Sequence, residues 1–386
     1  MKILIITYYK GALPFADELS EELIKKGHHV DLLDMFDMFT MSFNSIRTVK
    51  YHIKSATFRR LFNLRIVGII LKFFYYKYYF LRFKHRYDHI SIHYAFPFYR
   101  YFINNFKKTA DSVSLCVWGS DFYRISDKEK ESFRSFYERC DSIIIGNTTM
   151  ADDFSSFYHH KIRDKLRLVG FGIGKLDKIR SLKSEFTRAQ LKTHLGLPDD
   201  KLILTIGYNG IKAQQHLLIL QSLLHIPKTF REQLFLLIPF GYGGDQVYLN
   251  EIKEELKQLE VDYKVFNHFM SDDDVARIRI CTDIAINAQI SDASSASIQE
   301  HMFSENILLA GEWLPYEYFT DNKVKFWTFN ENTLAEKVLV TLQNFQSYQK
   351  QVEHNSEAIY LLSSWEARID QWINVFNEKP MLNPGH

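Results

Sequence analysis

The residues Ile284-Ala285-Ile286-Asn287, Gln289-Ile290-Ser291-Asp292-Ala293-Ser294-Ser295-Ala296, Ser297-Ile298-Gln299-Glu300-His301-Met302 and Ile307-Leu308-Leu309-Ala310 follow one another within 27 positions. The first run is short, apolar and bounded by polar residues, which predicts a buried strand. The second is a loop of small residues, the third opens a helix, and the fourth is another buried strand. A strand, a helix and a strand at this spacing form a βαβ unit, so the sheet is parallel and covered on both faces.

The same alternation extends in both directions. Upstream in the same half lie the predicted strands Leu202–Gly207, Phe235–Pro239 and Tyr263–Phe266. An earlier series comprises Ile3–Thr7, His29–Leu33, Ile90–His93, Ser114–Trp118 and Ser142–Gly146, with a helical stretch over Asp17–Lys26. Each series builds one doubly wound, Rossmann-like sheet, and two such sheets facing across a cleft place a ligand at the carboxyl ends of their strands. The charged segment Lys175 to Thr193 separates the series. The predicted domains are 1–185, 186–355 and a terminal segment 356–386, in which Leu361 to Phe376 has helical spacing and carries Trp365 and Trp372 as packing residues.

Composition narrows the class. With 386 residues, 46% apolar and 24% charged, the chain is globular and long enough for two cores. Cys116, Cys140 and Cys281 are far apart and form no C-x-x-C pair, so no disulfide framework or zinc knuckle is indicated and a cytoplasmic setting is expected. The apolar run after Met1-Lys2 is too short for a secretory signal, and Ile66 to Leu71 is far short of a membrane span.

Charge is concentrated instead of balanced. Between Arg47 and Arg86 there are eleven Lys or Arg, eleven Phe or Tyr and no Asp or Glu, which leaves 37 of the 48 cations against all 46 acids elsewhere. Rings interleaved with Lys72, Lys77, Arg82 and Lys84 suit the headgroup layer of an anionic membrane, where each cation contributes about 1 kcal/mol. A single-strand nucleic-acid groove and a plain core helix edged by solvated cations are the alternatives.

The glycine-rich strings Gly170-Phe171-Gly172-Ile173-Gly174 and Gly241-Tyr242-Gly243-Gly244 lack the spacing of a dinucleotide fingerprint, and there is no G-x-S-x-G or Walker A run. The loop quoted first is more informative. Its helix N-terminus offers backbone N–H groups and the positive end of a dipole to an anion, and small side chains let a diphosphate approach. Asp292 and Glu300, eight apart, can both face that ligand and accept from hydroxyls. An anion at a helix end with carboxylates for hydroxyls describes a nucleotide-sugar. Asp272-Asp273-Asp274 is read as a capped helix start after Ser271, not as a metal site.

On these residues the chain resembles the GT-B glycosyltransferases of the family 4-like, E-x7-E group, with Asp292 in the first Glu position and Glu300 in the second. The resemblance spans almost the whole chain and implies that the helix within 356–386 crosses back to the N-terminal domain. Ile206-Gly207-Tyr208-Asn209-Gly210-Ile211-Lys212 is similar to the family's phosphate loop, and the strings Ile238-Pro239-Phe240-Gly241-Tyr242-Gly243 and Val117-Trp118-Gly119-Ser120-Asp121-Phe122-Tyr123 are similar to bacterial 4-acetamido-4,6-dideoxygalactosyltransferases acting on lipid-linked glycans. Trp118-Gly119 stands where the family has His-Gly.

The resemblance implies a retaining transferase that moves a sugar from a nucleoside-diphosphate donor to a lipid-linked or polysaccharide acceptor in bacterial surface-glycan assembly, peripheral on the inner face of the plasma membrane and needing no metal or other cofactor. Donor contacts are expected from Gly207, Asn209, Lys212, Gly241, His268, Ser294, Ser295, Ala296 and Glu300, with Glu300 on the ribose. His93, Asp121 and Asp292 are the expected catalytic residues, and Gly11 and Trp118 the expected acceptor side. Partners are then the donor, the lipid-linked acceptor and an anionic membrane surface, with no nucleic acid. A nucleic-acid-binding protein with a degenerate cleft, and a nucleotide-sugar epimerase or phosphorylase of the same fold, are the competing readings.

Overall fold

A computed structural model describes residues 1–7, 13–35, 47–48, 60, 64, 67–82, 86–292 and 295–378. The chain forms two compact units, Met1–Gly172 with Arg368–His386, and Ile173–Ala367.

The first unit holds β1 (Lys2–Thr7), β2 (His29–Asp34), β3 (Arg47–Thr48), β4 (Tyr87–His93), β5 (Ala110–Val117), β6 (Ser142–Ile145) and β7 (Leu166–Leu168), in the order β3-β2-β1-β4-β5-β6-β7. All its pairings are parallel. The order reverses between β1 and β4, where Thr7 lies in register with His93.

The second unit holds β8 (Leu202–Ile206), β9 (Leu234–Pro239), β10 (Tyr263–Phe266), β11 (Ile284–Asn287), β12 (Ile307–Gly311) and β13 (Trp327–Phe329), in the order β10-β9-β8-β11-β12-β13, again all parallel. Alternate strand residues enter different cores. Leu204, Ile206, Leu236, Ile238, Ile284 and Ile286 pack on one face, and Ile203, Leu237, Ala285 and Leu308 on the other. Burial on both faces is why these strands read as unbroken apolar runs.

Two boundaries differ from the sequence-based expectation. The Lys175–Glu185 helix, expected to close the first domain, belongs to the second unit, because Leu176, Ile179 and Leu182 are buried in the core that contains Ile203 and Leu237. The terminal helix is two helices, Asn355–Ser363 and Trp365–Asn377. Ser364 breaks them, with extended backbone and a hydroxyl that accepts from Ala367 N–H at 3.1 Å. From Arg368 onward the chain belongs to the first unit, where buried Trp372 donates Nε1–H to Gly170 O at 3.0 Å.

The acidic triplet starts the Asp272–Cys281 helix. Ser271 Oγ accepts from Asp274 N–H at 3.1 Å, and the three carboxylates pair with Lys175, Lys178 and Arg277 at 3.0, 2.7 and 2.8 Å. The basic aromatic segment is helical over Val67–Arg82. Tyr76 and Phe80 point into the first core, where Phe80 meets Phe106 edge to face at 5.2 Å and Tyr76 Oη donates to Met35 O at 3.1 Å.

Candidate functional site

In the second unit the strand order reverses between β8 and β11, so the crevice outside their carboxyl ends is where a ligand is held in this topology. Four loops meet there. Gly207, directly after β8, has φ +62°, a conformation that glycine adopts without strain, and its N–H donates to Ile286 O at 3.2 Å. The next loop packs on it, with Gly210 N–H donating to Tyr242 O at 2.8 Å. A Cβ on Gly241 would stand 2.4 Å from His268 O, so the loops after β9 and β10 touch through backbone that only glycine allows.

Gln289 joins the loops after β8 and β11. Its Oε1 accepts from Tyr208 Oη and from Gln214 Nε2, the latter at 3.0 Å, while its carbonyl accepts from Trp313 Nε1 at 2.8 Å. Ile290 N–H donates to Ala213 O at 2.9 Å, closing the pair as a short ladder. Asp292 is the acid of this cluster. Its Oδ2 accepts from Tyr316 Oη at 2.5 Å and from Ser295 N–H at 3.1 Å, and Tyr316 in turn accepts from Asn287 Nδ2 at 2.8 Å. Burial and the Asp292 charge raise the Tyr316 phenol far above its ordinary range, so it is a permanent donor to that carboxylate.

Around this cluster the expected donor residues divide. Lys212 is exposed, with Nζ 5.1 Å over the Tyr248 ring. His268 is exposed, and beside it Phe269 and Tyr242 present rings 6.5 Å apart that are 80% and 53% open. Ser295 stands at the N-cap of the Ala296–Phe303 helix without a hydroxyl bond to it. Asn209 is buried, and its Oδ1 accepts from Ile211 N–H at 3.0 Å, so its amide shapes the loop instead of projecting from it. Ser294 lies outside the described residues.

Glu300, expected on the ribose, is engaged within the unit. It is buried and paired with buried Arg279, Nε to Oε2 at 3.0 Å. The same guanidinium donates to Ser297 Oγ at 2.7 Å and to His301 Nε2 at 3.0 Å, and His301 Nδ1 meets Asn306 Oδ1 at 2.6 Å. The bonds fix the tautomer: arginine can only donate, so Nε2 accepts and Nδ1 carries the proton. Desolvation and the Arg279 charge hold His301 neutral, well below its usual pKa. The physical reason is spacing: helical rotation from Ala296 turns residue 300 onto the Asp272–Cys281 helix, which supplies Arg279.

In the first unit, His93 ends β4 fully enclosed, stacked on Trp372 at 5.8 Å and 17° and flanked by Phe171 at 5.8 Å and Trp118 at 6.2 Å. Ser91 Oγ lies 3.1 Å from its Nε2. Burial lowers its pKa to about 3, so it is neutral at physiological pH. Trp118 is half-buried, with its ring 5.1 Å from Phe15 and 4.7 Å from Phe171. Gly11 lies outside the described residues.

Asp121 is buried too. Its two oxygens accept from Ala95 N–H at 2.7 Å and Trp118 N–H at 2.8 Å, tying the loops after β4 and β5 together. Desolvation raises the carboxyl from 3.8 to about 6, against the opposing pull of those backbone bonds. A folded-state pKa above the unfolded one means that the native protein binds this proton more tightly. Asp121 therefore carries no penalty below about pH 4, and stability falls from about pH 4 to 6 by roughly 3 kcal/mol, then stays level. Asp121→Asn should flatten this slope in thermal melts taken across that window; a melt series with the wild-type slope would refute the assignment.

Of the four membrane cations, Lys77 is turned inward: Nζ donates to Tyr101 O at 2.6 Å and Asn105 Oδ1 at 3.2 Å, and sits 5.1 Å over the Phe102 ring. Lys72 is half-buried. The Arg82 side chain and Lys84 lie outside the described residues.

No protein-family model and no curated protein matches this sequence. Solved structures do match in shape. A glycosyltransferase from Rickettsia africae ESF-5 superposes with a TM-score of 0.72 at 14% identity, over 97% of both chains. Anabaena HepE, solved in complex with UDP and glucose, gives 0.71 at 12% identity over 97% of this chain and 98% of that one. WaaG, a glycosyltransferase involved in lipopolysaccharide biosynthesis, gives 0.67 at 12% identity over 98% and 100%. The fold is GT-B, with two Rossmann-like domains.

Proposed function

We propose that this chain is a glycosyltransferase that uses a nucleoside-diphosphate-sugar. The observation that carries the reading is the convergence of the loops after β8, β9, β10 and β11 beside exposed Lys212 and the carboxylate of Asp292. A diphosphate needs a cation and backbone donors, which Lys212 and the start of the Ala296–Phe303 helix would supply. The hydroxyls of the sugar need an acceptor, and Asp292 would be it. The complex of HepE with UDP and glucose supports the donor class.

In the reaction an acceptor oxygen bonds to the anomeric carbon as the bond from that carbon to the diphosphate oxygen breaks. The acceptor proton leaves with the nucleoside diphosphate, whose growing charge Lys212 offsets. The configuration is retained. The acceptor is a lipid-linked glycan at the cytoplasmic face of an anionic membrane, and the transferred sugar is of the 4-acetamido-4,6-dideoxyhexose class. The acid-free segment 47–86 and the likeness to WaaG support the lipid-linked acceptor, and the sequence similarity of residues 117–123 and 238–243 supports the sugar class.

Lys212→Ala should weaken nucleoside-diphosphate binding about tenfold, the cost of one charge-assisted contact. Titration calorimetry measures it, and an unchanged affinity removes Lys212 from the site. Incubating the protein with dTDP-, UDP- and GDP-sugars and lipid-linked glycan acceptors tests the activity itself. Mass spectrometry should find an acceptor grown by one glycosyl residue. Turnover of every donor to free sugar, with no acceptor product, would contradict transfer.

A further inference from the structure

The face of the Val67–Arg82 helix that the fold leaves open is apolar. Val67, Ile70, Phe74 and Tyr78 are between 44% and 65% exposed. Their spacing of three, four and four residues sets them on one ridge roughly 16 Å long. Ile69 beside them is also exposed, and Tyr101 extends the patch, its ring 5.6 Å from that of Phe73. The other face packs on the first core through Tyr76 and Phe80, with Leu71, Phe73 and Tyr75 partly buried beside them. Among the described residues no helix is long and apolar enough to cross a membrane.

We propose that this ridge inserts into the headgroup layer of an anionic bilayer, with the helix lying in the plane of the interface. The inference rests on the membrane part of the reading above and changes its carriers, from Lys72, Lys77, Arg82 and Lys84 to Val67, Ile70, Phe74 and Tyr78. Charge selects the occupant. Setting aside Lys77, turned inward, and Arg86, paired with Asp111, nine cations and no acids remain in residues 47–86 and complement an anionic surface, whereas a second copy docked face to face would set two such segments against each other. Chemistry selects it again. Phe74 and Tyr78 have rings that a base can stack on, but Val67, Ile69 and Ile70 offer neither a ring nor a hydrogen bond and suit the acyl boundary, with Tyr78 and Tyr101 at the level of the headgroups.

The test uses the full chain and extruded vesicles of phosphatidylcholine and phosphatidylglycerol in equal parts. The wild type should float with them, and Ile70→Glu with Phe74→Glu should lower the partition at least ~10-fold, since two inserted apolar side chains are lost. Both positions are exposed, so the thermal melt should not move. As a second measurement, Phe74→Cys carrying a polarity-sensitive dye should shift to the blue on vesicle addition; the native Cys116, Cys140 and Cys281 are buried. An unchanged partition, a dye that responds only to an oligonucleotide, or one that responds to protein concentration alone would each overturn the inference. Nucleotide titration without vesicles separates the claims: intact donor binding with no vesicle binding sinks only this inference, and the reverse result sinks the transferase reading.

Discussion

Arg279→Met is expected to destabilise the second unit by about 3–5 kcal/mol, because it leaves Glu300 charged and buried without its partner. Ser297 Oγ loses a donor at 2.7 Å and His301 Nε2 one at 3.0 Å in the same step. For a unit of this size the loss corresponds to a fall in Tm of roughly 10 °C or more. Replacing Glu300 by Met as well should restore most of the stability, since an apolar pair of similar volume avoids the desolvation that the ion pair must offset. Urea unfolding of the two single variants and the double variant reads the coupling directly. Additive losses would show that the pair is not the unit of stability described here.

Asp292→Asn is expected to lower kcat by about 10²-fold or more while changing the melt little. Asparagine keeps an oxygen for Tyr316 Oη and Ser295 N–H but removes the charge that would hold the transferred sugar. Asp292→Ala is the less informative change, because it also strips a buried phenol of its acceptor, a structural cost of about 1–3 kcal/mol. Steady-state kinetics with the best donor decide. If Asp292→Asn turns over like the wild type, the carboxylate belongs to the scaffold, as Glu300 does.

The contrast between those two acids marks what could be read from the sequence. The strands were legible because parallel strands buried on both faces leave apolar runs, and their ends located the loops at residues 207–215, 241–244 and 287–292. Short edge strands such as Arg47–Thr48, Leu166–Leu168 and Trp327–Phe329 have too few residues to leave a pattern. The spacing of Asp292 and Glu300 could not show direction, because the partner that claims Glu300 is Arg279, on a different helix. Gln289, Tyr208 and Tyr316 escaped notice for a related reason. Their importance lies in cross-loop bonds, and the available hint was only that Tyr208 and Gln289 follow strand ends. His93 ends a strand and Asp121 lies in the turn from a strand into a helix, as read from the sequence, yet the rings of Phe171 and Trp372 enclose the first and the N–H groups of Ala95 and Trp118 bind the second.

Isothermal titration of the intact protein with UDP, dTDP, GDP and CDP tests most directly whether the carboxyl ends of β8 to β11 hold a nucleoside diphosphate. The account predicts saturable one-to-one binding of at least one of them, weakened about tenfold by Lys212→Ala and left nearly unchanged by Asp121→Asn. Heats indistinguishable from dilution for all four, or binding that Lys212→Ala leaves intact, would contradict it.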